Sequence, residues 1–323
     1  ATIKSMMKMI EKHPVVRGSV LALTGRACSQ LIKSGLSART CHSILYEPIL
    51  DFEGNLIRFD KRTNISDIKS EVGDFIIVDE ASMITKEIHD TLVSLGLPIL
   101  YVGDASQLPP VDKENPNFNV MELDDCPYLE LTVNHRQTEG SGIEELCKIL
   151  REENSLPRMK RDDLKFIPKT GLTPSYFAKN EFDIVLCGTN KTRKKINTQV
   201  RQAKGFHGDL PQEGEQIVCL QNTVIAEHKI SNGEVFVIDG AIYGEEISKY
   251  FVTSIDSGKS QTVNIENHCW DSEFSRRQAP DGTPLCSFAY GYCISVHKGQ
   301  GSQFDKVLFL DENVSFFLDQ RKF

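Results

Sequence analysis

The segment Phe75-Ile76-Ile77-Val78-Asp79-Glu80 constrains this chain more than any other. Four consecutive apolar residues bounded by polar ones suit a strand buried on both faces, as in a parallel sheet covered by helices. Two carboxylates at the C-terminal end of that strand stand where open α/β sheets bind ligands. Asp79 can there hold a Mg²⁺ that bridges nucleotide phosphates, and Glu80 can orient and deprotonate an attacking water. A strand running into a solvated acidic turn fits this segment equally well. The stretch Leu100-Tyr101-Val102-Gly103-Asp104-Ala105-Ser106-Gln107-Leu108-Pro109-Pro110-Val111 shifts the balance, because it is a second strand with a polar end. Its Gln107 amide can both donate to and accept from a γ-phosphate. Pro109 and Pro110 stiffen the loop that follows. Two such strand ends in succession would rarely arise by chance.

The surrounding chain has the texture of α/β domains. Ile3, Met6, Met7 and Ile10 fall at helical spacing within residues 2–12. Residues 19–23 form a short apolar run, and residues 27–33 predict a helix closed by Gly35. Residues 49–59 alternate around Glu53-Gly54-Asn55, a hairpin signal. Further on, residues 143–152 and the basic residues 191–204 predict helices, with a buried strand at 184–187 between them. From 232 to 288 short alternating stretches separated by glycine-rich turns predict a small β-rich insert, after which residues 290–296 and 306–310 return to α/β texture. The expected organisation is a first domain of residues 1–47 and 73–131 with an insert at 48–72. A second domain of 132–231 and 288–323 carries an insert at 232–287.

The net charge of −8 over 323 residues excludes a histone-like, generally adhesive nucleic-acid binder. It leaves room for a motor, which must release each phosphate it grips. The local basic clusters, Arg158 with Lys160 and Arg161, and Lys191 with Arg193, Lys194 and Lys195, read at least as well as solvated helix faces. No apolar run reaches membrane-spanning length, and Lys4, Lys8 and Glu11 interrupt any signal-peptide pattern. Nine cysteines without a C-x-x-C pair fit buried thiols in a reducing, cytoplasmic compartment better than a zinc site.

Taken in order, these motifs resemble those of RecD-like superfamily-1 helicases of the phage and bacterial 5′-to-3′ branch. Asp79-Glu80-Ala81-Ser82-Met83 resembles motif II, and Gly103-Asp104-x-x-Gln107-Leu108-Pro109-Pro110-Val111 resembles motif III. Ala22-Leu23-Thr24-Gly25-Arg26-Ala27 is similar to motif Ia, and Thr40-Cys41-His42-Ser43 to the T-x-H-S segment after it. Asn134-His135-Arg136-Gln137 is similar to motif IV, Asn232-Gly233-Glu234 to the N-G-D/E segment, and residues 290–305 to motif V. The resemblance implies two RecA-like domains with parallel sheets, a strand-separating pin at the hairpin and an SH3-like β-rich subdomain. It implies an ATP- and Mg²⁺-dependent translocase on single-stranded DNA and at DNA forks. A monomer working with replication or recombination proteins in a bacterial or phage-infected cell follows from the same likeness. The nucleotide would be held by Asp79, Glu80, Asp104, Gln107, Arg136 and Gly301, with catalysis assigned to Asp79, Glu80, Gln107 and Arg136. DNA contacts would come from Thr24, Arg26, Thr40, His42, Asn232, His297 and Lys298. Helix N–H groups near residues 25–27 suit a phosphate, and His42 suits stacking on a base. Phe52 and Phe59 would stack at the fork, or pack the hairpin against its own domain. Trp270 is either a base platform or a core residue.

A P-loop of the form G-x-x-x-x-G-K-S/T is absent from these 323 residues. Gly258-Lys259-Ser260 comes nearest, but Thr253 stands where its first glycine should be, and the segment reads as a hairpin turn. The V-T-R motif VI of the relatives is also missing. The expectation is therefore a motor core that is incomplete as given and inactive alone. The alternative is a non-catalytic single-stranded nucleic-acid-binding module derived from such a motor, and RNA as substrate stays open.

Overall fold

The computed structural model describes residues 2–10, 12, 16–50, 56–110, 112–124, 126–131, 140–153, 157, 159–225, 228–230, 232–255, 257–271, 278–279, 281–302 and 304–312. The first domain runs α1 (Thr2–Ile10), β1 (Gly18–Ala22), α2 (Gly25–Lys33), β2 (Ala38–Thr40), α3 (Cys41–Leu45), β3 (Tyr46–Leu50), β4 (Leu56–Lys61), α4 (Ile65–Val72), β5 (Phe75–Asp79), α5 (Lys86–Ser94) and β6 (Ile99–Tyr101). Its sheet has the order β2-β1-β5-β6, with every pair parallel. The apolar runs are continuous because the sheet is buried on both faces. Leu21, Ile76 and Val78 enter one apolar layer with Ile44 and Leu92, whereas Val20, Ala22 and Ile77 enter the other with Ile3 and Leu31. Each fully buried aliphatic side chain of this kind contributes roughly 1.5–3 kcal/mol.

Registers set where the strands end. Ala22 pairs with Thr40 on one side and with Asp79 on the other, so three strands terminate level at one edge of the sheet. Helices begin at that edge behind their own caps. Thr24 Oγ1 accepts from Ala27 N at 3.1 Å, and Thr40 Oγ1 from Ser43 N at 3.1 Å. The predicted hairpin is present as β3 against β4, with Pro48 opposite Phe59; its turn at 51–55 lies outside the described residues.

The second half contains α6 (Gly142–Glu153), α7 (Pro174–Lys179), β7 (Ile184–Cys187), α8 (Asn190–Ala203), β8 (Gln216–Cys219), β9 (Thr223–Ile225), β10 (His228–Ile230), β11 (Val235–Ile242), β12 (Ile247–Ser254), β13 (Ser260–Glu266), β14 (Phe288–Tyr290), β15 (Cys293–Ser295), α9 (Val296–Gly299) and β16 (Val307–Phe309). A parallel sheet of order β15-β7-β16 forms the second α/β domain. The β-rich insert is a five-stranded antiparallel sheet, β13-β12-β11-β8-β14, whose strands β8 and β14 lie outside residues 232–287. Phe236, Tyr250 and Phe288 fill its core, and Trp270 packs on them with its ring edge-on to Tyr290 at 5.0 Å. Trp270 is thus a core residue. Gly258-Lys259-Ser260 is the β12–β13 turn, with Gly258 at φ 68°, as its hairpin reading expects.

The basic helix α8 is partly structural. Arg193 is buried and pairs with Asp271 at 2.7 Å, while Lys194 reaches the same carboxylate at 3.3 Å. Arg201 and fully buried Glu215 form a second ion pair at 2.7 Å, with the guanidinium 4.1 Å from the Tyr290 ring centre. Among the described residues no helix is long and apolar enough to cross a membrane.

Candidate functional site

The acidic pair sits where its strand leaves the sheet. Asp79 ends β5, and Glu80 takes the left-handed conformation, φ 52° and ψ 43°, before a short 3₁₀ turn over Ala81–Met83. A side chain other than glycine costs roughly 1–2 kcal/mol in that conformation. Neighbouring bonds hold it there: Ala81 N donates to Val102 O at 3.0 Å and Ile84 N to Ala81 O at 3.0 Å. Both carboxylates remain partly exposed at the edge.

The motif III loop is packed directly on this turn. A Cβ added at Gly103 would stand 3.1 Å from Ala81 N, Ser82 N and Met121 Sδ, which is why a residue without a side chain occupies the position. Beyond it, Gln107 N donates to Asp104 O at 3.0 Å, and Asp104 Oδ1 accepts from Ser106 N at 2.9 Å. Asp104 Oδ2 accepts from Arg151 Nη2 of α6 at 2.7 Å, tying the motif III loop to that helix. Gln107 is half-buried in that loop. The fully buried Ser82 Oγ has no protein hydrogen-bond partner. An orphaned polar atom behind two acidic side chains fits an edge built to receive a hydrated cation and phosphates. Arg136 lies outside the described residues.

The expected DNA contacts divide into two groups. Thr24 follows β1 and Thr40 ends the neighbouring β2 at the same sheet edge, and each caps a helix. A hydroxyl that accepts from a backbone N–H still has its own proton to donate. His42 is exposed and stacks on Tyr46 with ring centres 5.4 Å apart, while Tyr46 donates to Glu87 at 2.7 Å. Desolvation holds the His42 imidazole below its ordinary pKa. His297 and Lys298 are partly exposed on α9, and burial lowers the His297 pKa too. Phe59 is 55% exposed on β4. Phe52 lies outside the described residues.

Arg26 departs from expectation. Rather than presenting a charge to solvent beside Thr24, it is only 6% exposed and donates from Nη1 to Gly233 O at 2.8 Å. Its guanidinium also lies 5.5 Å from the Phe304 ring centre. Gly301, at φ +73°, comes within 3.8 Å of Ala27 Cα when given a Cβ, and a Cβ at Gly233 would lie 3.7 Å from Lys298 O. Asn232 is exposed beside them, its backbone N donating to Asn222 Oδ1 at 2.8 Å. Motif Ia, the 232–234 turn and the 297–304 loop therefore meet at one seam between the domains.

Two residues escape a reading by motif, and a third lies inside one. Arg151 carries no local signal, because its partner Asp104 is 47 positions away. Ser82 lies within the Asp79–Met83 motif, but its burial without a hydrogen-bond partner is visible only in the structure. Glu312 lies at the start of α8, accepting from Gly188 N at 2.5 Å and Thr189 N at 3.0 Å. Desolvation raises its pKa, but bonds from Thr192, Gly188 and Thr189 outweigh this and leave the carboxyl below its usual range.

Residues 1–165 match the protein family described as the AAA domain. The fold is similar to that of the Pif1 helicase from Bacteroides in complex with ADP-AlF3 and single-stranded DNA, at TM-score 0.56 and 17% identity over 94% of this chain and 80% of that one. It is also similar to a structure of two coordinating Pif1 helicases at forked double-stranded DNA, at TM-score 0.55 and 17% identity over 98% of this chain and 82% of that one. The Pif1 helicase from Candida albicans matches at TM-score 0.52 and 16% identity over 99% of this chain and 90% of that one. At such identities the likeness is one of fold: α/β domains built on parallel sheets.

Proposed function

The chain belongs to the AAA domain family, and from that premise we propose that it is the ATP-dependent motor of a DNA helicase, moving along single-stranded DNA in the 5′-to-3′ direction. The observation that carries this reading is the level termination of β1, β2 and β5, which places Asp79 and Glu80 beside the Thr24 and Thr40 edge and against the Gly103 loop. Nucleotide chemistry and DNA contact thus share one rim of one sheet. One structural neighbour, the Bacteroides Pif1 helicase, holds ADP-AlF3 and single-stranded DNA, which supports the same ligand classes for this chain.

Asp79 would hold Mg²⁺, whose positive charge would neutralise the phosphates of ATP. Glu80 would accept the proton of the attacking water, and the left-handed backbone fixes where that base stands. Gln107, with Arg136, would sense the γ-phosphate. Because the Gly103 loop contacts the acidic turn and Asp104 binds Arg151, a change at the nucleotide would reach α6. Thr24, Thr40, His42, Asn232, His297 and Lys298 would hold the strand, with Phe59 on the hairpin at the fork. Arg26 acts instead on the seam that joins the domains, where Gly301, which would also approach the nucleotide, packs on Ala27.

The test is Glu80→Gln in the full-length protein, assayed for ATP hydrolysis with and without single-stranded DNA. Hydrolysis should rise with DNA in the parent protein and fall about a hundredfold or more in the variant, the usual contribution of a positioned base. DNA binding should persist in both. A parent protein that binds DNA and never hydrolyses ATP would instead be a non-catalytic binding module.

A further inference from the structure

We propose that Glu266, His268 and Cys269 form a Zn²⁺ site in the β-rich insert. Their ligand atoms all lie within 4.8 Å of one another, and among the described residues this is the one such group of three. The 3₁₀ turn Asn267–Cys269 at the end of β13 creates the cluster by bringing positions i, i+2 and i+3 to one side. Glu266 starts that turn without using its side chain as the cap. Instead Cys269 Sγ lies 3.3 Å from Glu266 Oε2.

The donor set selects the metal. A thiolate, an imidazole and a carboxylate suit Zn²⁺, which binds sulfur, nitrogen and oxygen in a tetrahedron. Mg²⁺ and Ca²⁺ prefer all-oxygen shells. Glu266 is 2% exposed, so its carboxylate is held in place by the sheet, whereas exposed His268 and half-buried Cys269 leave a path for a cation and for a fourth ligand such as water. The backbone around the turn is anchored on its other side, with Asn267 Nδ2 donating to Gly244 O at 2.8 Å and Ser248 Oγ donating to Asn267 Oδ1 at 2.7 Å.

A metal here would brace the junction between insert and second domain. The next two residues are Trp270, which packs on Tyr290, and Asp271, which binds Arg193 and Lys194 of α8. The site is some way along the chain from the acidic pair, so it stands or falls independently of the motor reading.

The test uses the chain with exposed Cys126 and Cys147 replaced by Ser, after treatment with a chelator. Titration with Zn²⁺ alone should give one equivalent of binding and a higher melting temperature. Co²⁺ should give a thiolate-to-metal absorption band. His268→Ala, an exposed position that leaves the fold intact, should weaken Zn²⁺ by more than the roughly tenfold that losing even an outer-shell partner costs. Cys269→Ser should abolish the Co²⁺ band. Absence of Zn²⁺ binding, or Zn²⁺ affinity and a Co²⁺ band unchanged in both variants, would overturn the proposal.

Discussion

Arg26 Nη1 donates to the carbonyl oxygen of Gly233 at 2.8 Å, joining residues 207 positions apart across the two domains. The guanidinium is buried, so the bond is made away from water, and Gly301 packs against Ala27 one residue along. Motif Ia thereby touches the β-rich insert and the 297–304 loop at once. A hydrogen bond from a charged donor contributes roughly 1.5–3 kcal/mol. Arg26→Ala should lower stability by about that much in urea denaturation, because the Gly233 carbonyl is left unpaired. Arg26→Lys should recover only part of it, since an ammonium lacks the planar fork. Unchanged midpoints in both variants would mean that the seam is open in solution.

Lys298 tests the DNA path. Neutralising one phosphate contact changes the salt dependence of single-strand binding by about 0.7 in log–log slope. Lys298→Ala should weaken binding and reduce the slope by about that amount, read by fluorescence anisotropy over a salt series. An identical slope would remove Lys298 from the phosphate contacts.

The β3–β4 hairpin carries Phe59 exposed at its side. If it splits strands, replacing residues 49–59 with a short Gly-Ser link should abolish fork unwinding and spare DNA-stimulated ATP hydrolysis. Phe59→Ala should reduce unwinding without changing hydrolysis. Loss of both activities together would assign the hairpin to packing.

Histidine protonation gives a pH signature. Desolvation holds His42 and His297 below the ordinary value of 6.5, so both are neutral near neutrality. A lowered histidine pKa favours the neutral folded form: its stability contribution is present above 6.5 and is lost as pH falls toward the lowered values. DNA affinity should move the other way, flat above about pH 7 and rising as the imidazoles gain charge below it. The double variant His42→Ala, His297→Ala should flatten the acid rise. Persistence of that rise would place the titrating groups elsewhere.

The amino-acid sequence by itself marked the sheet-forming runs, because a short apolar run such as 75–78 bounded by polar residues suits a strand covered on both faces. It located the acidic pair at a strand end, since chain order alone puts Asp79 and Glu80 directly after Val78. It also marked the hairpin, the change to β-rich texture and the turn at Gly258. Relationships between distant segments needed the tertiary structure. The level ends of β1, β2 and β5 depend on register, which no local pattern specifies. Whether Arg26 meets a phosphate or a carbonyl, and whether Trp270 meets a base or a core, depends on what lies opposite each side chain in space. Charge and ring shape say what a residue can bind. Only packing decides which partner is within reach.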